Sequence, residues 1–347
     1  MDYSALTAPV AESDVDAYRA RARAAGYPKY NTAAGILGGV LVSVIFLGII
    51  GSIVVANTIP AIMKLITEGF SAFTVLSAFT FLFAVAMGVL LVWMLRLVVQ
   101  GGKTWEVWLR LTRFAEANRL QFSHQSPAPS YPGVIFTQGH SQHSLNHVRS
   151  TEGRFFDVGN FQYITGSGRS RATHNWGFLA LKLDRVLPHM LLDATANNTI
   201  FGSNLPLLYR KEQILALEGD FNEHFTLYCP KEYERDALYV FTPDLMALLI
   251  DEAAPFDVEI VEDWLFVYSK RPLGIDASVW SRMFGIIDTV GAKTLDQTHR
   301  YADQRIGDPA VNIVAPQGAR LRTRISVLAV IAVVGFIAIQ VARIVLT

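Results

Sequence analysis

The chain has 347 residues, with 30 Lys and Arg against 30 Asp and Glu, and this zero formal charge argues against nucleic acid as its main partner. It is 51% hydrophobic and only 17% charged, below the roughly one quarter charged that soluble domains carry, which points to a membrane. The single cysteine, Cys229, excludes an internal disulfide framework and a cysteine-built zinc site.

The N-terminal segment, 1–31, carries Arg19, Arg21, Arg23 and Lys29. Thr32 to Met63 then contains no charge, and its Val/Ile/Leu/Gly stretch exceeds the roughly 20 residues that a bilayer core requires. It starts too late and runs too long for a cleaved signal peptide. A second uncharged run follows from Phe70 to Leu95 and a third from Ile325 to Ala342. The expected architecture is an integral membrane α-helical protein with three spans. Its segments are 1–31, a helical pair with a short outer loop over 32–99, a cytoplasmic domain over 100–323, and a last span over 324–347.

Orientation follows from the cations. Arg96, Lys103, Arg110 and Arg113 follow the second run, Arg320, Arg322 and Arg324 precede the third, and only Lys64 lies between the first two. The positive-inside rule therefore places the N-terminus and the large block in the cytoplasm, at the inner membrane. Gly35, Gly39 and Ser43, and Thr80, Ala84 and Gly88, form small-residue stripes suited to close helix contact. Neither of the first two runs holds an ionisable group, which argues against a transporter or channel acting alone.

Lys103 to Leu120 spaces Trp105, Trp108, Leu109, Leu111, Phe114 and Ala115 as an amphipathic helix. Its tryptophans are candidate headgroup anchors. After the polar turn Gln125–Pro132 the pattern becomes β: Tyr131–Gln138, then Arg154–Val158 and Phe161–Thr165 joined across Gly159–Asn160. Gly166-Ser167-Gly168 turns the chain into Ala172–Leu183, and Pro188 separates this from Met190–Leu192. This spacing predicts about four or five strands in one antiparallel sheet. Further on, Thr242-Pro243-Asp244 reads as a helix start. Phe256–Val261 and Trp264–Tyr268 read as a hairpin around Glu262-Asp263. Val279 to Val290 reads as an amphipathic helix beginning near Asp276 or Ser278, and the pattern is lost over 291–318. The block is thus α+β, built on an antiparallel sheet.

Three histidines, His140, His143 and His147, are the sharpest candidate for metal ligation, with Glu152 the nearest acid. Gly139, Ser141, Ser144 and Asn146 place them on a polar loop or edge, so no metal, cofactor or catalytic residue is assigned. The turn carrying Arg169 and Arg171 reads as a hairpin tip that can meet anionic lipid headgroups. The carboxylates Glu218, Asp220, Glu223, with His224, then Glu232, Glu234 and Asp236, and the scatter of Asp184, His189 and Asp193, need geometry to show convergence. Cys229 reads as a packed apolar residue.

The runs Leu217 to Tyr228, Tyr233-Glu234-Arg235-Asp236-Ala237 and Phe241-Thr242-Pro243-Asp244-Leu245-Met246 resemble a family of uncharacterised bacterial membrane proteins with a cytoplasmic domain of unknown function. The similarity covers about Pro132 to Tyr268, and the C-terminal run departs from many members. The resemblance implies an inner-membrane location and supplies no catalytic residue. The expected function is that of a scaffold or accessory subunit, whose cytoplasmic domain binds a protein partner or a ligand near the bilayer. Trp105, Trp108, Arg169 and Arg171 are its expected membrane-surface contacts. The rival is a membrane-bound metal-dependent hydrolase of a lipid or envelope precursor, with His140, His143 and His147 as ligands and Glu218 or Asp220 as base.

Overall fold

Among the described residues of the computed structural model, seven strands form one antiparallel sheet: β1 (Leu120–Pro127), β2 (His140–Ser150), β3 (Phe156–Thr165), β4 (Ala172–Ala194), β5 (Ile214–Leu215), β6 (Phe225–Tyr228) and β7 (Asp257–Ser269). The described residues are 1–27, 45, 48–49, 51–52, 56–67, 69, 72–198, 203–308 and 310–324. The order is β1-β2-β3-β4-β6-β5, with β7 on β4. β4 is the central strand. Its first half pairs with β3, its last four residues pair with β6, and β7 follows it over most of its length.

Alternation along β4 serves two covered faces. Phe178 and Ala180 join a core with Tyr131, Ile135, Phe136, Phe266 and Tyr268. Leu179 and Leu181 are buried on the opposite face. There the Ala277–Ile286 helix, capped by Asp276 through the Ser278 amide at 2.9 Å, brings Phe284 against Phe156 and Phe114. Asp276 thus begins the helix that the spacing predicts. The helix Pro243–Leu248 also starts where Thr242-Pro243 predicts, with Pro at its first turn but no cap from the Thr242 side chain.

The chain divides into two compact units, one of Pro9–Leu109 and one of Met1–Ala8 with Arg110–Thr347. The first eight residues belong to the α+β unit. Asn118 exchanges hydrogen bonds with the Asp2 backbone, at 2.7 and 2.8 Å, and Arg110 donates to the carbonyls of Leu6 and Ala8. In the other unit the helix Glu12–Ala24 buries Tyr18 and Ala22.

The membrane architecture is corrected. Among the described residues no helix is long and apolar enough to cross a membrane. The run Phe70–Leu95 enters the helix Ala72–Ala117, which continues through Arg96, Lys103 and Arg110. An uncharged window reports composition alone and not what surrounds it, and within this helix Phe79, Leu82, Phe83 and Val89 are exposed. The run 32–63 lies mostly, and the run 325–342 wholly, outside the described residues, as does the stripe at Gly35, Gly39 and Ser43. The fold observed is α+β with a seven-stranded antiparallel sheet, in place of a three-span integral membrane class placed in the inner membrane.

Within the block, three apparent turn signals turn out to lie inside strands. Gly159-Asn160 sits mid-β3: a Cβ on Gly159 would lie 2.2 Å from His147 Cβ and 2.5 Å from its Cα, so this glycine permits a close approach of β2. Pro188 and Glu262 sit at an irregularity where the β4–β7 register shifts, with Glu262 at φ 55°. β7 is therefore one strand and not a hairpin. Conversely, Tyr131–Gln138 is a run of turns whose Val134, Ile135 and Phe136 are all buried, since it closes over a sheet face and does not alternate with one. The polar segment from His140 is strand β2, the segment after Leu120 is β1, and 291–318 contains the helices Ala292–Thr298 and Pro316–Ala319.

Gly159→Ala is expected to destabilise the protein by about 3 kcal/mol, since backbone and Cβ of β2 must both move. Gly274→Ala, where a Cβ meets nothing within 4 Å, should stay within about 0.5 kcal/mol. Denaturant unfolding of the two variants checks the difference.

Candidate functional site

A cleft of about 280 Å³ opens between three stretches of chain and is lined by Arg210, Lys231, Arg320 and Arg322, opposed by Glu212 and Glu232. Its floor is held by Gln213, a buried amide. The Gln213 side chain accepts from the Arg322 N–H at 2.8 Å and donates to the Arg322 carbonyl at 2.8 Å, while Arg210 N–H donates to the same carbonyl. These bonds tie a segment near residue 210 to one near residue 322, and so bring cations far apart in the chain together. Arg320 is paired with Glu262 at 2.6 Å, whereas Lys231 and Arg322 form no ion pair with a described residue.

The segment from Lys231 into the helix Glu234–Val240 also borders a wider cavity, about 680 Å³, with Arg235, Tyr239, Arg300, Tyr301 and Arg305 in its lining. Arg305 lies 3.9 Å from the Tyr233 ring centroid, pairs with Asp236 and Asp303, and donates to the Glu232 carbonyl. Arg235 and Arg300 are exposed.

A second constellation lies across β1, β2 and β3. His147 Nδ1 is 2.8 Å from Asp157 Oδ1, and His147 Nε2 is 2.9 Å from Ser126 Oγ. Asp157 also accepts from Tyr131 at 2.9 Å and from Arg149 Nε at 3.0 Å. His147 and Asp157 are buried and Ser126 is half-buried. The carboxylate orients the imidazole so that its second nitrogen can accept the serine proton, which is the relay geometry of a Ser-His-Asp set. Burial and the Asp157 charge push the Tyr131 phenol far above its ordinary value, so it stays a donor. Neither Ser126 nor Asp157 stands out in the sequence. The residue order marks His147, though for a metal, and Gly159, whose missing side chain gives the histidine its place.

The structure separates the three expected histidines. His140 is exposed and His143 half-buried, with His143 Nδ1 on the Ser141 carbonyl, while His147 serves Asp157. Among the described residues no group of three or more His, Cys, Asp or Glu is arranged to hold a metal ion. Arg169 and Arg171 are exposed on the β3–β4 turn, beside a Ser167–Ser170 capping box. Trp105 and Trp108 are buried, in edge-on contact at 5.0 Å, with Tyr27 against Trp108 and Arg23 over Trp105. Glu218, Asp220 and Glu223 are exposed and His224 half-buried around the short helix Phe221–His224. Asp184 pairs with Arg154, His189 with Glu259, and Asp193 is buried near the end of β4.

No family model and no curated protein matches the chain. Among solved structures it is similar to the mycobacterial trehalose monomycolate transport factor A, TtfA, at 10% identity and a TM-score of 0.37, over 55% of this chain and 94% of that one. A likeness that distant brings no function with it.

Cys229 is buried, and burial, with Glu234 and Asp236 nearby, pushes its thiol up to about 12. In native protein at about pH 8 it should alkylate with iodoacetamide roughly a thousand-fold more slowly than a free thiol, and at the free rate after unfolding. Mass spectrometry of the adduct against time reads this out.

Proposed function

We propose that the α+β unit is a binding module of a scaffold or accessory protein, and that it takes an acidic segment of a protein partner. The observation that carries this reading is the gathering of Arg210, Lys231 and Arg322 in one cleft, with Arg235 and Arg300 on the neighbouring cavity. Cations left without a carboxylate among the described residues keep their field for an incoming anion. A concave lining that already includes Glu212 and Glu232 suits a segment with spaced acidic residues better than a uniformly charged polyanion. The bonds from Gln213 hold the cleft before any partner arrives, so little ordering is required on binding.

A second reading rests on the Ser126–His147–Asp157 geometry, with both contacts under 3 Å. In it Ser126 Oγ attacks an ester carbonyl and passes its proton to His147, whose imidazolium Asp157 stabilises. Breakdown of the tetrahedral adduct returns that proton to the leaving alcohol and leaves an acyl-serine. Water then attacks this acyl group with His147 again as base, which releases the acid and restores the serine.

Binding of a fluorescein-labelled peptide of alternating Glu and Ser to the full chain, followed by anisotropy, should weaken as salt rises from about 0.1 to about 0.5 M. It should weaken at least roughly ten-fold when Lys231→Glu and Arg322→Glu are combined, equivalent to about 1.4 kcal/mol. A peptide that binds both proteins equally ends the first reading. For the second, a fluorophosphonate probe should form a single adduct on Ser126 that disappears with Ser126→Ala and declines with Asp157→Asn. An unlabelled Ser126 after prolonged exposure sinks it.

A further inference from the structure

The ends of β4 and β7 place two carboxylates opposite one another. Leu192 pairs with Val258, so the next rung of the antiparallel ladder sets Asp193 against Asp257. Like charges directly opposite in a ladder repel, and these two are also withdrawn from water, with Asp193 4% exposed and Asp257 0%. No Lys, Arg or His forms an ion pair with either among the described residues. Asp257 Oδ1 accepts the Ala194 N–H at 2.9 Å. Asp257 Oδ2 and Asp193 Oδ1 are buried, and neither has a partner in hydrogen-bonding geometry among the described residues.

The residues around the pair add amide and hydroxyl groups and no charge to balance it. β4 runs into the turn Thr195–Asn197, and the amides of Asn197 and Asn204 lie against the Asp257 carboxylate, while Asn198 and Ser203 lie beside Asp193. Among the described residues, Asn197 Oδ1 and both polar side-chain atoms of Asn204, Oδ1 and Nδ2, are themselves buried without a partner. The turn is held to the sheet from outside by Thr195, which donates to the carbonyls of Glu223 and His224. Buried polar atoms in folded proteins are almost always satisfied, so four unsatisfied oxygens from two carboxylates and two amides, gathered in one place, call for a missing electrophile. Burial, reinforced by the Asp193 charge and opposed by the Ala194 N–H and the Asn197 and Asn204 side chains, pushes the Asp257 carboxyl up to about 7.

We propose that Asp193, Asp257, Asn197 and Asn204 form a binding site for a hard divalent cation, Ca²⁺. An all-oxygen set of carboxylates and amide carbonyls is the donor chemistry of Ca²⁺, and it lacks the nitrogen and sulfur that select Zn²⁺ or Cu²⁺. Two acidic groups match the charge of one such ion, and a turn supplying half the ligands suits the adaptable coordination of Ca²⁺ better than the strict octahedron of Mg²⁺. The ion ties the turn after β4 to the first residue of β7, and it is a structural cation and no part of either functional reading above.

The test uses the full chain, freed of metal with a chelator and titrated separately with CaCl₂, MgCl₂ and ZnCl₂ while Tm is recorded, with isothermal calorimetry for the Ca²⁺ series. Ca²⁺ should raise Tm saturably, by roughly 5 °C when about 100-fold above its Kd. Asp257→Asn keeps the shape of the pair and removes its repulsion, so this variant should melt no lower than the metal-free parent and should lose the Ca²⁺ shift. Asn204→Ala, outside the strands, should weaken Ca²⁺ at least roughly ten-fold and serves if the first variant fails to fold. A Tm indifferent to Ca²⁺ up to about 10 mM, a shift that persists undiminished in both variants, or a response to Zn²⁺ alone would each overturn the proposal.

Discussion

The buried carboxylate of Glu259 joins parts of the chain that are far apart in sequence. Its Oε1 meets His189 Nε2 at 2.7 Å, and its Oε2 accepts from Tyr268 at 2.5 Å and from the Val134 N–H at 2.8 Å. His189 in turn accepts the Leu321 N–H on Nδ1, which fixes the tautomer that donates to Glu259. One side chain thereby connects β4, β7, the turn segment that covers the apolar core, and the strip carrying Arg320 and Arg322. A buried charge without partners is costly, and these donors make Glu259 tolerable only in this arrangement of the chain, which gives the cluster its specifying power.

The same device recurs. A tyrosine hydroxyl donates to an acid in Tyr131–Asp157, Tyr268–Glu259, Tyr233–Asp303 and Tyr301–Asp236. In each case burial is the first reason that the phenol lies above its ordinary value, so the tyrosine remains a donor across the accessible pH range. Asp303 collects Tyr233, the Ala315 amide and Arg305, and so joins the neighbourhood of one cavity to the chain that leads into the cleft. Against this background of satisfied carboxylates, Asp193 and Asp257 stand apart, since among the described residues no cation pairs with either and each keeps a buried oxygen without a partner.

Cleft and relay geometry have different physical origins. The cleft is a product of the outermost strip: Gln213 and the Arg210–Arg322 backbone bond assemble cations from segments that share no secondary structure. The Ser126–His147–Asp157 set belongs to the sheet interior and depends on a glycine in β3 that lets β2 approach. Arg149 and Tyr131 hold Asp157 from two further directions, so the same bonds that could poise the histidine also staple three strands together.

Local features were legible in residue order because their cause is local. Asp276 caps a helix through its own neighbour, Pro243 opens one where no amide is needed, and Gly166-Ser167-Gly168 turns β3 into β4. The strand expected over Ala172–Leu183 is likewise present, as the first part of β4, and there Phe178, Leu179 and Leu181 are all buried. What residue order left open is every feature whose cause lies across the fold. Gly159, Pro188 and Glu262 look like turn residues, yet each answers to a neighbouring strand: a close approach in one case and a shifted register in the others. An uncharged run has the same composition whatever covers it, so the run Phe70–Leu95 could not announce a helix that continues to Ala117. Charge and hydrogen-bonding capacity are written in single residues. Which carboxylate meets which donor depends on strand register and loop closure, and it was these that assembled the cleft, the serine relay and the Asp193–Asp257 pair.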